Sequence, residues 1–410
     1  MALPSAVNKI NPIRGHRGDY VLGLTVFVLI AFGLIMMYNI NPALSQKLLG
    51  RVDSGYYFRG QLMNIVVGVA AWVFAINFYY ERWRKLSLPL LIVAFVSVIL
   101  LLIPGISVEK NGATRWLELG PISFQPAELL KIAMVLYLAV WLEKRGDEIR
   151  SFWDGVVPFS IMIGVTSIII VVLQRDMGTM MALALASIGM FYVAGMKMKH
   201  LALILSTGFV MGWIAIVSFP HRMERLMTFL DPSKDANGLG YHISQALLAI
   251  GSGGILGLGL GKSIQIYGYL PEAANDSIFA VIGEEFGLVG CLIIIGLFGL
   301  LTYRGIEIAR KAPDLFGRLL ATGISLIIMF QAFVNIGAML SLIPLTGIPL
   351  PFISYGGSSM LIMMLAVGIL FNISRYTVNE GANADSRSRR WDSRPHFTNS
   401  SSRRRVKAAR

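Results

Sequence analysis

The sequence predicts an all-α polytopic membrane protein with ten transmembrane helices, and three observations support this fold class. First, 55% of the 410 residues are hydrophobic and only 14% are charged, whereas soluble domains carry about 25% charged residues. Second, apolar runs of about 20 residues, the length that crosses a hydrocarbon core, recur along the chain. Third, the connections between these runs are alternately rich and poor in basic residues, as the positive-inside rule expects.

The apolar runs define the predicted elements in order. Ten of them are predicted to span the membrane, at 20–38, 61–80, 86–103, 126–142, 157–173, 178–194, 200–219, 277–302, 316–340 and 357–374. The first run follows Lys9, Arg14 and Arg17 and lacks a clear cleavage site. We therefore interpret it as an uncleaved signal anchor.

The distribution of charge predicts the orientation. With the N-terminus in the cytoplasm, the inside segments carry 25 Lys and Arg residues and the outside segments carry ten. This bias predicts that both termini are cytoplasmic, which fits an even helix count. The predicted organisation is a cytoplasmic segment at 1–18, a membrane domain at 19–375 and a basic tail at 376–410 that we expect to be disordered. The net charge of +13 follows this topology, so it does not indicate a nucleic-acid partner.

Three of the connections predicted on the outer face are notable, at 104–125, 220–276 and 341–356. The longest, 220–276, joins predicted helices 7 and 8 and ends at Asp276. Long loops held by a helical scaffold favour a functional site at this surface. Asp276 is either a helix N-cap, for which aspartate is well suited, or a general base at the membrane boundary, and these two roles are compatible.

Charged residues inside predicted spans form a second set of candidates, because charge in lipid is costly and usually faces a cavity or a partner. Glu128 and Lys131 are three residues apart and share a helix face, so they either form a buried ion pair or line a cavity. Of Glu284 and Glu285, we expect one to face a cavity, and a structural polar contact is the alternative.

Several motifs are excluded. The stretch from Gly251 to Ser263 ends in Gly-Lys-Ser, but Leu256 occupies the position where a P-loop requires glycine, so we predict a closely packed glycine-rich segment and no nucleotide. Ser354 does not lie in a Gly-x-Ser-x-Gly elbow, and we interpret it as part of a turn. The lone Cys291 excludes an intrachain disulfide, and the five scattered histidines do not resemble a zinc site.

A set of motifs carries a family resemblance. In chain order these stretches are 111–116 (NGATRW), 124–129 (FQPAEL), 174–179 (QRDMGT), 229–232 (FLDP), 250–261, 269–272 (YLPE), 282–287 (IGEEFG) and 347–359 (GIPLPFISYGGSS). They resemble the SEDS proteins (shape, elongation, division and sporulation), which include RodA, SpoVE and FtsW, over roughly 18–375. The 282–287 and 347–359 stretches are more similar to the FtsW/SpoVE branch than to RodA.

The sequence departs from the family at the most important motif. The family typically reads Pro-Glu-x-His-Thr-Asp-Phe, whereas this chain has Ala274, Asn275 and Ser277 in place of His, Thr and Phe. The carboxylate is kept at Asp276, and the resemblance implies that it is the catalytic residue. Its changed neighbours imply that its environment and its pKa can differ from those in the family.

The resemblance implies a peptidoglycan glycosyltransferase that polymerises lipid II at the outer face of the bacterial cytoplasmic membrane, for cell division. Lipid II is a disaccharide-pentapeptide on undecaprenyl pyrophosphate. The implied partners are a class B penicillin-binding protein and other divisome or elongasome membrane proteins. The alternatives are an elongation-type RodA-like polymerase, a lipid II flippase or transporter, and a structural division scaffold.

Roles for the remaining candidates follow from the substrate that the resemblance implies. We expect a cation among Arg115, Arg222, Arg225 and Lys262 to bind pyrophosphate, and the family pattern does not decide which. Trp116 is expected to stack on a sugar or to anchor the chain at the interface. The other candidate substrate-binding residues are Glu128, Lys131, Glu284 and Ser354. A divalent cation, Mg²⁺ or Mn²⁺, near the diphosphate and Asp276 is compatible with this chemistry, and no haem or flavin is expected.

Overall fold

The computed structural model describes residues 17–49, 55–110, 113–119, 122–235 and 238–377. Its α-helices are α1 (Tyr20–Leu49), α2 (Tyr56–Asn77), α3 (Trp83–Ile99), α4 (Pro126–Arg145), α5 (Val157–Leu173), α6 (Met177–Val193), α7 (Met198–Val217), α8 (Pro220–Leu230), α9 (Leu239–Ser252), α10 (Ile278–Lys311), α11 (Leu315–Met339) and α12 (Gly357–Ser374). Short helical turns cover Tyr80–Arg82, Leu100–Leu102, Gly146–Arg150, Phe152–Val156 and Pro232–Lys234. Nearly all of the predicted terminal segments, 1–18 and 376–410, lie outside the described residues.

Eight helices in the described part of the chain are long and apolar enough to cross a membrane: α1, α2, α3, α5, α7, α10, α11 and α12. The two other predicted spans, 126–142 and 178–194, correspond to α4 and α6. Helix α6 has only 17 residues, and α4 carries charged residues, but both pack against α11 in the interior. A helix that is enclosed by other helices need not be apolar toward lipid, so α4 tolerates Glu128 and Lys131.

The two ends of the helical domain lie at the same end of the bundle. The main-chain N–H of Asp19, just before α1, donates to Ser374 Oγ at the end of α12 over 3.0 Å. The Asp19 carboxylate also pairs with Arg304 on α10 at 2.6 Å. The α10 helix runs from just after Asp276 past Arg304, about 40 Å at 1.5 Å per residue. Asp276 therefore lies at the opposite end of the bundle from both ends of the helical domain.

The connections at the Asp276 end contain regular structure that hydropathy did not predict. The 104–125 connection forms a three-stranded antiparallel sheet of β1 (Ser107–Lys110), β2 (Ala113–Leu119) and β3 (Ile122–Phe124). The 220–276 connection contains α8 and α9. The all-α prediction therefore missed a small sheet, because short strands outside the spans have no hydropathy signal of their own.

The glycine-rich loop after α9 is interlocked with a break in α10. The helix loses its geometry at Gly287, where φ is 63° and ψ is −160°. Main-chain bonds from Leu288 N to Gly254 O (2.9 Å) and from Leu258 N to Glu284 O (3.0 Å) join the loop to the broken turn. A side chain at Gly257 would contact the main chain of Glu285. Glycine is therefore required where the two backbones approach closely.

Candidate active site

Asp276 lies in a non-helical turn, residues 271–277, immediately before α10. The main-chain carbonyls of this turn accept hydrogen bonds from other elements of the bundle. The donors and acceptors are Tyr355 N to Ala274 O at 2.8 Å, Ser354 Oγ to Asn275 O at 2.5 Å and Asn335 Nδ2 to Asp276 O at 2.8 Å. Because α11 and the 341–356 segment hold three successive carbonyls, the position of the Asp276 carboxyl is fixed by tertiary contacts.

Two amide side chains of α11 position the 341–356 connection, here called the proline-rich segment, beside this turn. Asn335 donates to Ile348 O at 2.8 Å as well as to the Asp276 carbonyl. Gln331, one helical turn earlier, donates to Pro349 O at 3.0 Å. Sequence reasoning did not select either residue. The available signal was an amide in an otherwise apolar span, which commonly marks a functional or packing contact.

Glu128 and Lys131 form an ion pair of 3.0 Å in which both side chains are 1% exposed. Lys131 also donates to Gln331 Oε1. Within the described residues, Glu128 Oε2 is buried without a hydrogen-bond partner. The ion pair is therefore connected to the Asp276 site through Gln331, which contacts both Lys131 and the proline-rich segment.

The electrostatic environment of Asp276 favours its neutral form. Burial, with a smaller contribution from Glu272, raises the pKa of Asp276 to about 7, and this increase is opposed by a hydrogen bond with its own main chain and by the charges of Arg115 and Arg225. The residue as a whole keeps some surface exposure, whereas its Oδ1 atom is buried with no hydrogen-bond partner among the described residues. We conclude that the carboxyl lies recessed in a site that still opens to the surface.

Two guanidinium groups lie on the same side of the bundle as this carboxyl. Arg115 on β2 donates to the main-chain carbonyls of Gln174 (3.0 Å) and Arg175 (2.7 Å). At Gly347, where φ is +70°, an added Cβ would lie 3.6 Å from Asp276 Oδ2 and 3.7 Å from Arg115 Nη1. A glycine at this position therefore leaves room between the acid and the guanidinium.

Arg225 on α8 is the second guanidinium. Its Nη1 donates to Leu345 O at 3.3 Å, and its Nε is buried without a partner in the described part of the chain. Burial lowers the pKa of Arg225 and Arg115 lowers it further, whereas Asp176 and Asp276 oppose this change. Arg115 and Arg225 therefore repel each other, and an anion bound between them would relieve that repulsion.

The other predicted substrate contacts are more distant from Asp276 or are used within the protein. Arg222 donates to Val171 O (3.0 Å) and Ala215 O (3.2 Å) and stacks on Phe219, which ties α8 to the ends of α5 and α7. Lys262 is exposed in the glycine-rich loop near the break in α10. Trp116 is half-buried on β2 and pairs across the sheet with Val108.

Three of the predicted residues anchor loops. Glu284 accepts hydrogen bonds from Ser263 Oγ, Ile264 N (2.8 Å) and Gln265 N (3.3 Å). Glu285 accepts from Asn39 Nδ2 (2.6 Å) and Gly261 N (3.2 Å). Both carboxylates therefore hold the glycine-rich loop, and Ser354, which is buried, holds the turn of Asp276.

The described residues contain no group of three or more His, Cys, Asp and Glu side chains that could hold a metal ion. Asp276 supplies one unpartnered carboxylate oxygen, which does not make a metal site by itself. A divalent cation here would take most of its ligands from substrate phosphates and water, as Mg²⁺ often does. The cation stays a prediction, and we derive no chemical step through it.

Comparison with known proteins gives a consistent assignment. The family model described as cell cycle protein, FtsW/RodA/SpoVE, matches residues 20–379. Stage V sporulation protein E of Bacillus subtilis (strain 168) is 40% identical over 363 residues, covering 88% of this chain and 97% of that protein. A relative from Trichlorobacter lovleyi, named probable peptidoglycan glycosyltransferase FtsW, is 39% identical, covering 88% of this chain and 94% of its own length.

Solved structures agree with the sequence relatives. A chain from a study of structural coordination of polymerization and crosslinking by a peptidoglycan synthase complex superposes with a TM-score of 0.72 at 27% identity, covering 87% of this chain and 98% of that one. The rod shape determining protein RodA of Thermus thermophilus superposes with a TM-score of 0.63 at 26% identity, covering 88% and 98%. The chain therefore belongs to the FtsW/RodA/SpoVE (SEDS) family, and its sequence is most similar to the FtsW/SpoVE branch.

Proposed function

We propose that the chain is a peptidoglycan glycosyltransferase that polymerises lipid II at the outer face of the bacterial cytoplasmic membrane, in the synthesis of the division septum. The observation that carries this proposal is the site of Asp276. A recessed carboxyl with a pKa of about 7 lies beside two guanidiniums and at the end of the bundle opposite both ends of the helical domain. A pKa near the working pH suits a general base.

The proposed reaction joins two sugars and releases a lipid diphosphate. The ionised Asp276 carboxylate takes the proton of the acceptor hydroxyl as the hydroxyl oxygen attacks the anomeric carbon of the donor sugar. The bond between that carbon and the diphosphate oxygen breaks, and the diphosphate leaves with the electron pair. Arg115 and Arg225 stabilise the negative charge that develops on it. Glu128, Lys131, Glu284 and Ser354 are proposed to act indirectly, by holding the helices and loops around the substrate.

The proposed orientation has ten spans and both termini in the cytoplasm, with the membrane domain at 19–375. The shared position of Asp19 and Ser374 supports it, as does the bias of basic residues. Helix α7 offers a surface for the lipid tail, because it is the least buried of the eight candidate spans, with only 6% of its most apolar 18-residue stretch buried against the protein. Its exposed side chains include Phe209 and Trp213, which would contact acyl chains.

The proposed partner is a class B penicillin-binding protein. Similarity to a chain of a peptidoglycan synthase complex supports this partner. A reconstituted chain that polymerises equally fast with and without such a partner would contradict activation through the contact.

The deciding assay is polymerisation of lipid II by the purified chain with its transpeptidase partner, followed by gel separation of glycan strands. Asp276→Asn keeps the size of the side chain and removes the base, so we expect at least about a 100-fold loss of rate. The matched control is Asp235→Asn in the same outer connection. The Asp235 carboxylate accepts hydrogen bonds from Gly238 N at 2.8 Å and from Gly240 N at 3.4 Å. Asparagine can keep the shorter of these bonds with its amide oxygen, so this variant should keep its activity.

Two outcomes would overturn the proposal. Normal polymerisation by Asp276→Asn would remove Asp276 from the mechanism. Lipid II translocation across vesicles without polymer formation would identify a flippase instead. Among the cations, Arg225→Gln and Arg115→Gln should each reduce the rate, whereas Lys262→Gln, in the exposed glycine-rich loop, should change it least.

A further inference from the structure

A histidine of the long outer connection contacts the residue that follows Asp276. His242 lies in the first turn of α9, and its Nε2 is 2.6 Å from Ser277 Oγ. Ser277 is fully buried and occupies the N-cap position of α10, where its side chain makes no capping bond to the helix. The hydroxyl is therefore directed to α9 rather than to its own helix.

This contact joins a separate part of the protein to the catalytic turn. The carbonyls of residues 274, 275 and 276 are held by α11 and by the 341–356 segment. The side chain at 277 is held by α9 instead, and α9 belongs to the 220–276 connection that also carries Arg225. The hydrogen bond between His242 and Ser277 thus connects the 220–276 connection, which carries the Arg225 guanidinium, to the turn that carries the Asp276 carboxyl.

The charge state of the imidazole is compatible with a lasting hydrogen bond. Burial lowers the pKa of His242, and the carboxylate of Glu272 opposes this change. A neutral imidazole can donate to Ser277 Oγ or accept from the Ser277 hydroxyl, depending on its tautomer. In either direction the two groups satisfy each other in a buried place, where an unpaired hydroxyl is costly.

We propose that His242 is a positioning residue for Asp276. It acts through its hydrogen bond to Ser277, which fixes the distance between the Asp276 carboxyl and the diphosphate-binding Arg225 on α8. The proposal rests on the proposed function. A base displaced by a fraction of an ångström loses rate rather than substrate affinity, because only the transition state requires the aligned geometry. Loss of His242 should therefore lower kcat and leave KM for lipid II nearly unchanged.

The test is a set of variants in the lipid II polymerisation assay with the full chain and its partner. His242→Ala and Ser277→Ala should each lower kcat about 10-fold, the effect of roughly one hydrogen bond. Their double variant should be no slower than either single variant, because both remove the same contact. His242→Gln places an amide near the Nε2 position and should recover most of the rate, whereas His242→Asn is too short and should not.

Three results decide between the explanations. Rates are expressed per folded molecule, and folded protein is quantified as the monodisperse fraction in detergent. A merely structural role of His242 would lower the yield of folded protein but leave kcat unchanged, and this result would overturn the proposal. Normal kcat for Ser277→Ala, or additive losses in the double variant, would also overturn it. Asp276→Asn in the same assay separates the two proposals, since its retained activity would defeat the proposed function, whatever His242 does.

Discussion

The raised pKa of Asp276 leads to a prediction about stability that does not depend on measuring catalysis. The folded protein holds this carboxyl at a pKa of about 7, compared with an ordinary value of 3.8. The unfolded chain therefore ionises the group at lower pH than the folded protein does. Ionisation favours the unfolded state progressively from about pH 4 to about pH 7, and the full destabilisation is present above pH 7.

The magnitude follows from the two pKa values. At about 1.36 kcal/mol per pH unit, the gap corresponds to a cost of up to about 4 kcal/mol at alkaline pH. Asp276→Asn removes the ionisable group while keeping the shape. We therefore expect the variant to be inactive yet more stable than the wild type, with a stability advantage that widens by roughly 2–3 kcal/mol between pH 5 and pH 8.

The assay is thermal unfolding of the detergent-purified chain at pH 5 and pH 8, for the wild type, Asp276→Asn and the control Asp147→Asn. Asp147 is exposed at the other end of the bundle, so its variant should follow the wild type at both pH values. A stability difference between Asp276→Asn and the wild type that is the same at pH 5 and pH 8 would refute the reasoning. It would mean that the carboxyl is well hydrated or paired.

The remaining predictions concern rate, the buried ion pair and the glycine-rich loop. If ionised Asp276 is the base, the polymerisation rate should rise as pH increases through about 7, and a rate that is flat from pH 5.5 to 8.5 would contradict this. Lys131→Met leaves Glu128 charged and buried, so it should cost about 3–5 kcal/mol in unfolding free energy. The double variant Glu128→Gln/Lys131→Met should recover most of that loss, and thermal melts of both would test the pairing. In Gly257→Val the valine would have to adopt the positive φ of Gly257, and its side chain would clash with the main chain of Glu285. This variant should therefore lower the yield of folded protein, whereas a normal yield would show that the loop can rearrange.

The sequence predicted the parts of the fold that depend on solvent preference. Apolar length located a helix at each of the ten predicted runs, because a backbone in lipid must satisfy its own hydrogen bonds. It could not show that α4 and α6 both pack against α11, nor find the small sheet and the helices α8 and α9. These elements are short and lie outside the spans, so their formation depends on contacts rather than on hydropathy.

The sequence by itself singled out Asp276, because a resemblance of motifs carried a role to a position where its neighbours had changed. Only the tertiary structure brought Arg115 from β2 and Arg225 from α8 to that carboxyl, and only it showed Asn335 holding the Asp276 carbonyl. These residues are far apart in the chain, and no local pattern encodes their distances. The physical reason is that a pKa and a charge cluster depend on burial and on distance in space, which the order of residues does not contain.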